Sequence, residues 1–262
     1  MAYESQYSNA VLESMQSVYG EGFLSPGGAE EVGDIVDGLA LEGREVLDLG
    51  CGIGGATLVL ARDLGAGRVL GIDVEEASLA LAAAAVESAG LADRIAFELV
   101  EPGPLPLPDG RFDLVFSKDV FCHVPDKAPL LGEAFRILRP DGVFASGDWI
   151  KGPDGPGSEA YGDWAGRLHA TGLRFYFEPI EVYIASLEAA GFEGIEVRDH
   201  SAWSERESRR QLDHALGPAC DALRGALGED GLEMRIRLTE ARCEALAGGA
   251  LRHYHLRALR PA

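Results

Sequence analysis

The sequence has 262 residues, of which 47% are hydrophobic and 25% are charged, a balance typical of globular proteins rather than disordered, collagen-like or coiled-coil chains. This length fits one large α/β domain, or a domain with an elaborated cap, better than two full domains. Forty-three acidic against 23 basic residues leave a formal charge of −20, which opposes binding along a nucleic-acid backbone.

The sequence also predicts where the protein works. Its amino terminus lacks the basic segment and apolar stretch of a secretory signal, and no apolar run approaches the ~20 residues of a membrane span. The four cysteines (Cys51, Cys122, Cys220 and Cys243) form no C-x-x-C pair, so neither a zinc site nor a disulfide framework is indicated. We expect a cytoplasmic monomer or homodimer with a small-molecule partner and no membrane or nucleic-acid partner.

Short apolar runs alternate with helical stretches up to residue 138. The runs predict five strands, at residues 46–49, 68–73, 95–99, 112–116 and 143–146. The stretches between them predict helices at residues 55–64 and 75–89, and a third from the cap Asp126 to Leu138. Strands alternating with helices favour a mostly parallel sheet with right-handed crossovers.

The pattern changes after Trp149. The remaining elements are a flexible loop at 151–158, a helix at 179–190, a strand at 194–200, helices within 204–247 and a seventh strand at 251–259. We therefore expect three parts: residues 1–28 as a lid segment, 29–203 and 248–262 as the core, and 204–247 as a helical cap inserted before the last strand.

A glycine-rich turn follows the first predicted strand. Gly50, Gly52 and Gly54 form a G-x-G-x-G pattern, which lets the backbone approach a ligand next to the free N–H groups of a helix. Asp73 ends the next strand, where a carboxylate can accept both hydroxyls of a ribose. Because Gly55 also completes a dinucleotide-type spacing, the spacing alone does not identify the cofactor.

The residues around this turn resemble four motifs of class I S-adenosylmethionine-dependent methyltransferases. These are residues 47–55 (Leu-Asp-Leu-Gly-Cys-Gly-Ile-Gly-Gly), 71–73 (Gly-Ile-Asp), 111–117 (Arg-Phe-Asp-Leu-Val-Phe-Ser) and 138–143 (Leu-Arg-Pro-Asp-Gly-Val). The resemblance implies an α/β, Rossmann-like fold with seven strands, and an enzyme that uses S-adenosylmethionine and releases S-adenosylhomocysteine. Many relatives have an aspartate that contacts adenine after the third strand, whereas this sequence has Glu101 at that position.

Two segments resemble a narrower family, the phosphoethanolamine N-methyltransferases. Residues 6–28 contain Gln-Tyr, Gly-Glu-Gly-Phe and Ser-Pro-Gly-Gly, and residues 117–123 read Ser-Lys-Asp-Val-Phe-Cys-His. The second segment is also similar to that of sarcosine/dimethylglycine N-methyltransferases. The resemblance implies that Tyr7 and His123 latch over the substrate, that Asp119 helps hold the amine, and that Ser25 lies near the methionine carboxylate of the cofactor.

These roles suit methyl transfer, in which the enzyme contributes mainly alignment and desolvation. An alkylamine is protonated at neutral pH, so His123, with an ordinary pKa of ~6.5, is the candidate to accept its proton. Asp119 can bind the ammonium first, and Tyr7 can close over the site. An ordinary loop histidine, a helix-capping aspartate and a surface tyrosine remain the alternatives.

The predicted contacts form two sets. The cofactor set is Ser25, Asp48, Gly50, Cys51, Gly52, Gly54, Asp73, Val74, Val100, Glu101, Pro102 and Ser117. The substrate set is Tyr19, Trp149, Arg174 and Tyr176, with Arg235, Arg237 and Arg242 as further phosphate-binding candidates. For each arginine, a solvated residue of the cap is the favoured alternative. His253 and His255 share a strand face that can hold a metal, but without an identifiable third ligand we expect a core or pocket-lining role and no metal.

The leading hypothesis is N-methylation of a small amine or a phosphobase such as phosphoethanolamine. The alternatives are sarcosine or dimethylglycine as acceptor, an O- or S-nucleophile of a natural product, and a cofactor-binding interaction module without catalysis. In place of a tyrosine in the resembled family's phosphate site this sequence has Trp149, and no lysine follows Lys151.

Overall fold

The computed structural model describes residues 9–153, 159–170, 172–218 and 220–262. Seven strands form one sheet: β1 (Glu45–Leu49), β2 (Arg68–Asp73), β3 (Ile95–Leu99), β4 (Phe112–Lys118), β5 (Leu138–Lys151), β6 (Glu193–Asp199) and β7 (Leu251–Leu259). Their order is β3-β2-β1-β4-β5-β7-β6. β1 to β5 run parallel, and β7 is antiparallel to both β5 and β6. The predicted seven-stranded α/β architecture is confirmed.

The helices are α1 (Asn9–Tyr19), α2 (Gly28–Ile35), α3 (Gly55–Leu58), α4 (Glu76–Ser88), α5 (Lys127–Ile137), α6 (Glu159–His169), α7 (Ile180–Ala190), α8 (Ser201–Leu216) and α9 (Cys220–Ala247). Asp126 caps α5 by accepting from Ala128 N, which is the cap that the sequence predicts. The predicted helix at 55–64 is only one turn of α-helix, since the chain continues as a π-helix over Val59–Asp63.

Three features differ from the sequence-based prediction. The fifth strand, predicted at 143–146, extends to Lys151 because Gly147 to Lys151 pair with β7. Gly147 and Asp148 are poor strand formers, so the ladder overrides their local preference. Helix α1 occupies about half of residues 9–28, the described part of the segment expected as a lid, α2 begins only at its last residue, and α6 follows the predicted loop.

Both faces of the sheet are covered, as in other α/β proteins with parallel strands. Val46 packs in a cluster with Val32 and Ile35 of α2, whereas its neighbour Leu47 packs in a second cluster with Leu131 of α5. Successive strand residues point to opposite faces, so these two clusters form the two layers of the core.

Helices α8 and α9 lie between β6 and β7 in the chain and pack on each other, and α9 also contacts α1 and α6. A kink at Gly228, where φ is +73°, interrupts α9. In the part of the chain described by the structure, no helix combines the length and apolar character needed to cross a bilayer. Helices α1, α6 and α9 stand over the edge of the sheet where β1, β2 and β4 end.

Candidate active site

A cavity of about 1040 Å³ lies at the carboxyl ends of β1, β2 and β4. Leu49, Asp73 and Lys118, the last residues of these parallel strands, all line it. Small-molecule sites are usually ~300–1,000 Å³, and in open α/β sheets they occur at this edge. The cavity therefore has room for two small ligands at once.

The glycine-rich turn forms one wall of the cavity. Gly50 has φ of +76°, and a Cβ there would lie 2.3 Å from Cγ2 of Val120. Gly52, with φ of +52°, donates its N–H to Oδ2 of Asp73 at 2.7 Å. The other oxygen of Asp73 accepts from the N–H of Glu75 at 3.0 Å. Asp73 thus fixes the turn, a role that its position in the sequence did not reveal.

Asp48, just before the turn, is buried and accepts a hydrogen bond from the Thr57 hydroxyl at 2.6 Å. Burial raises the pKa of Asp48 to about 7, the nearby Asp73 charge adds to this, and the Thr57 hydrogen bond opposes it. Thr57 belongs to α3, so this bond ties the helix to the strand that precedes the turn. Asp48 also lines the cavity.

Most of the predicted cofactor contacts line this one cavity: Ser25, Asp48, Gly50, Cys51, Gly52, Asp73, Val74, Val100, Glu101 and Pro102. Gly54 and Ser117 are not among its lining residues. A Cβ on Gly54 would meet Ala82 at 2.9 Å, so this glycine permits close packing of the turn on α4. Ser117 is fully buried and donates to the Leu49 carbonyl at 3.2 Å, so it supports β1 from behind.

His123 and Asp119 line the same cavity. Nδ1 of His123 lies 2.8 Å from the Arg174 carbonyl, which can only accept, so Nδ1 carries the proton and Nε2 keeps its lone pair. Burial lowers the pKa of His123, despite the opposing effects of the Arg174 carbonyl and the Asp119 charge. The imidazole is therefore neutral at pH 7, which is the form that a general base requires.

Asp148, which the sequence analysis did not single out, supports His123. Its carboxylate accepts the N–H groups of Cys122, at 3.0 Å, and of Trp149, at 2.7 Å. Cys122 belongs to the short 3-10 turn Phe121–His123, so Asp148 fixes the turn that carries the histidine. Burial raises the pKa of Asp148 to about 7, as does the Asp119 charge. Only the tertiary structure reveals this role.

All four predicted substrate residues (Tyr19, Trp149, Arg174 and Tyr176) line the cavity, together with Phe175, Phe177 and Trp164, which the sequence analysis missed. Residues 172–178 are held by Lys127, whose buried ammonium donates to the carbonyls of Val124 and Tyr176 and pairs with Glu178. We call residues 172–178 the aromatic strap. The predicted latch residue Tyr7 lies outside the described residues.

A cationic group adjoins this wall. Nη1 of Arg235 donates to the Tyr19 hydroxyl at 2.7 Å, and Nη1 of Arg242 does so at 3.4 Å. Burial raises the pKa of Tyr19, but the two guanidinium charges outweigh it and lower the pKa to about 8. Arg237 is not among the cavity-lining residues, since it is exposed and pairs with Glu233. The position of Arg237 is that of the favoured alternative, a solvated residue of the cap.

His253 and His255 lie on β7 behind Trp149, whose ring stacks on His253 at 4.4 Å between centroids. The third group that the sequence did not identify is Glu31 of α2. Its Oε1 lies 3.2 Å from Nε2 of His253 and 3.6 Å from Nε2 of His255. Glu31 is far away in the chain, so only the approach of α2 to β7 reveals it.

Comparisons with known proteins agree with this geometry. A family model described as a methyltransferase domain matches residues 41–152. Phosphoethanolamine N-methyltransferase 3 of Arabidopsis thaliana is 32% identical over 210 residues, covering 79% of this chain. Methyltransferase GfsG of Streptomyces halstedii is 35% identical over 192 residues, covering 72% of this chain and 66% of that protein. The chain spans only 41% of the length of the plant relative.

The fold has a similar relative among solved structures. Phosphoethanolamine N-methyltransferase 2 of Haemonchus contortus, solved with phosphomonomethylethanolamine and S-adenosylhomocysteine, superposes with a TM-score of 0.89 at 21% identity. The match covers 99% of this chain and 59% of that one. The chain therefore contains a methyltransferase domain, and its fold is that of the class I S-adenosylmethionine-dependent methyltransferases.

Proposed function

We propose that the protein transfers a methyl group from S-adenosylmethionine to the nitrogen of a small amine, with phosphobases such as phosphoethanolamine as the first candidates. One observation carries the proposal: a single cavity is lined by the glycine turn with Asp73 and also by Asp119 and His123. A cofactor cradle and an amine-handling pair thus share one space. The similarity to phosphoethanolamine N-methyltransferases supports the same acceptor class.

The residues of the turn fit the proposed cofactor. A side chain at Gly50 would collide with Val120, so this position is kept open as a cradle for a ligand requires. Asp73 is the group that would accept the ribose hydroxyls, since each carboxylate oxygen has a lone pair beyond its backbone bond. When bound, S-adenosylmethionine supplies an electrophilic methyl group. Ser25, Val74 and Glu101 are the further residues that would contact it.

Binding and deprotonation of the amine depend on the side chains at the acceptor end of the cavity. An alkylammonium has no free lone pair, so it must lose a proton before nitrogen can attack. Neutral His123, oriented by its Nδ1–H bond to the Arg174 carbonyl, accepts that proton at Nε2. Asp119 attracts the ammonium before deprotonation. The aromatic strap lowers the water content around the reacting atoms, which strengthens these interactions.

Arg235 and Arg242 would bind the anionic group of a phosphobase. Both line the cavity, and guanidinium groups suit phosphate because they can donate in pairs. The test combines calorimetry with S-adenosylmethionine and methyl-transfer assays on phosphoethanolamine, sarcosine and dimethylglycine. We expect the double substitution of Arg235 and Arg242 by Gln to raise KM for phosphoethanolamine by about tenfold or more. Arg237→Gln, which removes one positive charge outside the cavity, is the control and should leave KM unchanged.

Unchanged kinetics of the double variant would reject the phosphobase as acceptor while leaving amine methylation open. Binding of S-adenosylmethionine without methylation of any amine or alcohol would instead favour a non-catalytic interaction module.

The proposal includes the expected division into a lid (1–28), a core and a helical cap (204–247), and a cytoplasmic monomer or homodimer. The net charge of −20 supports the absence of a nucleic-acid partner.

A second candidate is O-methylation of a bulkier natural product. The cavity of about 1040 Å³ is large for a cofactor plus phosphoethanolamine, and Trp149, Trp164, Phe175 and Phe177 give it an aromatic wall. The similarity to the 27-O-demethylrifamycin SV methyltransferase of Amycolatopsis mediterranei, 32% identical over 165 residues, supports this alternative. A panel of bulky hydroxylated natural products separates the two candidates. Turnover of such a compound that survives both arginine substitutions would favour the second one.

A further inference from the structure

Four buried ionisable groups form a closed ring beside the acceptor end of the cavity. Nζ of Lys118 lies 3.0 Å from Oε2 of Glu31 and 2.5 Å from Oδ2 of Asp119. Nε2 of His253 lies 3.2 Å from Oε1 of Glu31 and 3.4 Å from Oδ1 of Asp119. Each carboxylate therefore faces Lys118 with one oxygen and His253 with the other. We call these four residues the charge ring.

The hydrogen bonds around His253 indicate which atoms carry protons. Ser204 Oγ donates to the His200 carbonyl at 3.2 Å, so it accepts from Nδ1 of His253, 2.8 Å away. Nδ1 is thus protonated, and a neutral ring would point the bare lone pair of Nε2 at two carboxylates. A second proton on Nε2 removes this repulsion. It also gives the ring two positive and two negative charges.

Burial makes this balance important. The side chains of Glu31 and His253 are 1% exposed and those of Lys118 and Asp119 are 5% and 7% exposed. A buried charge without compensation is costly, whereas an alternating set satisfies each member. Burial lowers the pKa of His253, but the charges of Glu31 and Asp119 outweigh it and raise the pKa above its ordinary value.

The other basic groups nearby do not replace His253 in this role. Arg198 can only donate, so Nδ1 of His255, 2.8 Å away, accepts, and His255 is a neutral ring with its proton on Nε2. Burial lowers the pKa of His255, and burial together with His255 and His253 lowers that of His200 to about 3. The acidic group near His200 is Asp34, whose Oδ2 lies 3.8 Å from Nε2 of His200.

The charge ring meets the cavity at two of its members, Lys118 and Asp119, and the acidic member there is Asp119. This residue lines the cavity and has φ of +57°, a left-handed conformation that is uncommon outside glycine. Its N–H donates to the Gly147 carbonyl at 2.8 Å, which fixes the backbone. The two cations of the ring then fix its carboxylate from two sides.

We propose that Glu31 and a protonated His253 are positioning residues that hold the Asp119 carboxylate ionised and correctly oriented for an amine acceptor. This inference rests on the proposed function, because it assigns a purpose to the orientation of Asp119. Neither residue touches the acceptor in this scheme. Trp149, which stacks on His253 and lines the cavity, separates the ring from the acceptor space on that side.

A first test needs neither substrate nor substitution. Nitrogen-15 NMR of the histidine rings of the intact protein distinguishes an imidazolium from a neutral ring. We expect both nitrogens of His253 to be protonated at pH 7, and the ring to lose a proton only at higher pH. A neutral His253 at pH 7 overturns the proposal. So does one equivalent of a divalent metal that co-purifies with the protein and is lost in His253→Gln, because Glu31, His253 and His255 lie close enough to ligate one.

A second test uses Glu31→Gln, with Glu30→Gln as the matched control that removes the same charge from an exposed site on the same helix. In Glu31→Gln, burial dominates the pKa of His253, which falls. At pH 7.5 we expect KM for the amine to rise by about tenfold, while the cofactor Kd changes less than twofold. The ratio of variant to wild-type KM should shrink as the pH falls, because acid restores the proton of His253.

A ratio that does not change with pH, or an unchanged KM, contradicts the proposal. Glu31→Asp keeps the charge and should retain the His253 proton in the NMR spectrum. If Glu31→Gln does not fold, the wild-type spectrum and Glu31→Asp still decide the matter. If the protein methylates no amine at all, the proposed function fails, while the NMR result still reports on the protonation of the charge ring.

Discussion

Gly55 is a sensitive test of how the amino-terminal segment closes on the glycine turn. Its N–H donates to the Gly22 carbonyl at 3.0 Å, and a Cβ at Gly55 would lie 2.2 Å from that oxygen. Carbon and oxygen need roughly 3–3.5 Å, so Gly55→Ala displaces Gly22 by about 1 Å. Gly22 and its neighbour Phe23 line the cavity. The displacement therefore reaches the proposed cofactor site.

The magnitude follows from two opposing effects. Alanine is better than glycine in a helix by ~0.5–1 kcal/mol, whereas overpacking against a rigid backbone costs ~1–3 kcal/mol. We expect Gly55→Ala to lower Tm by several degrees, since ~1 kcal/mol corresponds to ~2–4 °C for a chain of this size. Misplacement by ~1 Å can reduce kcat/KM by ~100-fold.

Gly33→Ala is the matched control, because it also replaces a helical glycine but a Cβ there meets nothing within 4 Å. It should raise Tm by about 2 °C and leave cofactor binding unchanged. Thermal melts and calorimetry with S-adenosylmethionine measure both variants. If Gly55→Ala were as stable as Gly33→Ala and bound the cofactor with wild-type Kd, the close approach of Gly22 would not constrain the site.

Three further substitutions test the site. Tyr19 should ionise near pH 8 in an ultraviolet titration, and Tyr19→Phe should remove that transition. The lowered pKa stabilises the folded protein fully above pH 10, and this stabilisation is lost as the pH falls through 8. A midpoint near 10 contradicts the arginine contacts. Lys127→Met leaves the Tyr176 carbonyl unpaired, so the free energy of unfolding should fall by ~1–3 kcal/mol and the KM for the acceptor should rise. Unchanged values in thermal melts and kinetics would argue that Lys127 does not hold the aromatic strap. Asp73→Asn leaves one oxygen to accept but directs the amide NH2 at one of the two backbone N–H groups. It should raise the cofactor Kd by about tenfold or more in calorimetry, whereas wild-type affinity would refute the role of Asp73.

The sequence predicted the parts of the site that are encoded locally. The glycine turn and Asp73 belong to one strand-helix-strand unit, and Asp119 and His123 belong to one short segment. Their identities and spacing are therefore visible without the fold. The parallel pairing of β1 to β5 followed in the same way from the alternation of strands and helices.

The sequence could not predict the parts that depend on tertiary approach. Nothing in the sequence distinguishes Glu31 and Asp148 from other acidic residues. The role of Glu31 depends on the packing of α2 on β7, and that of Asp148 on the position of β5 behind the 3-10 turn. One signal was available but unused: Arg235 and Arg242 are seven residues apart and share a helix face, whereas Arg237 lies two residues from Arg235 and points elsewhere. Helical periodicity alone would have separated the cavity-lining arginines from the exposed one.

The contact between α2 and β7 also bears on the order of folding events. Arg257 donates to the Ile35 carbonyl across 222 residues, and in the sheet as described β6 pairs with β7 and with no other strand. Joining such distant segments is entropically slow, while the glycine turn closes over a short loop. The glycine turn can therefore form early in folding, and the acceptor end of the cavity is completed only when β7 joins the sheet.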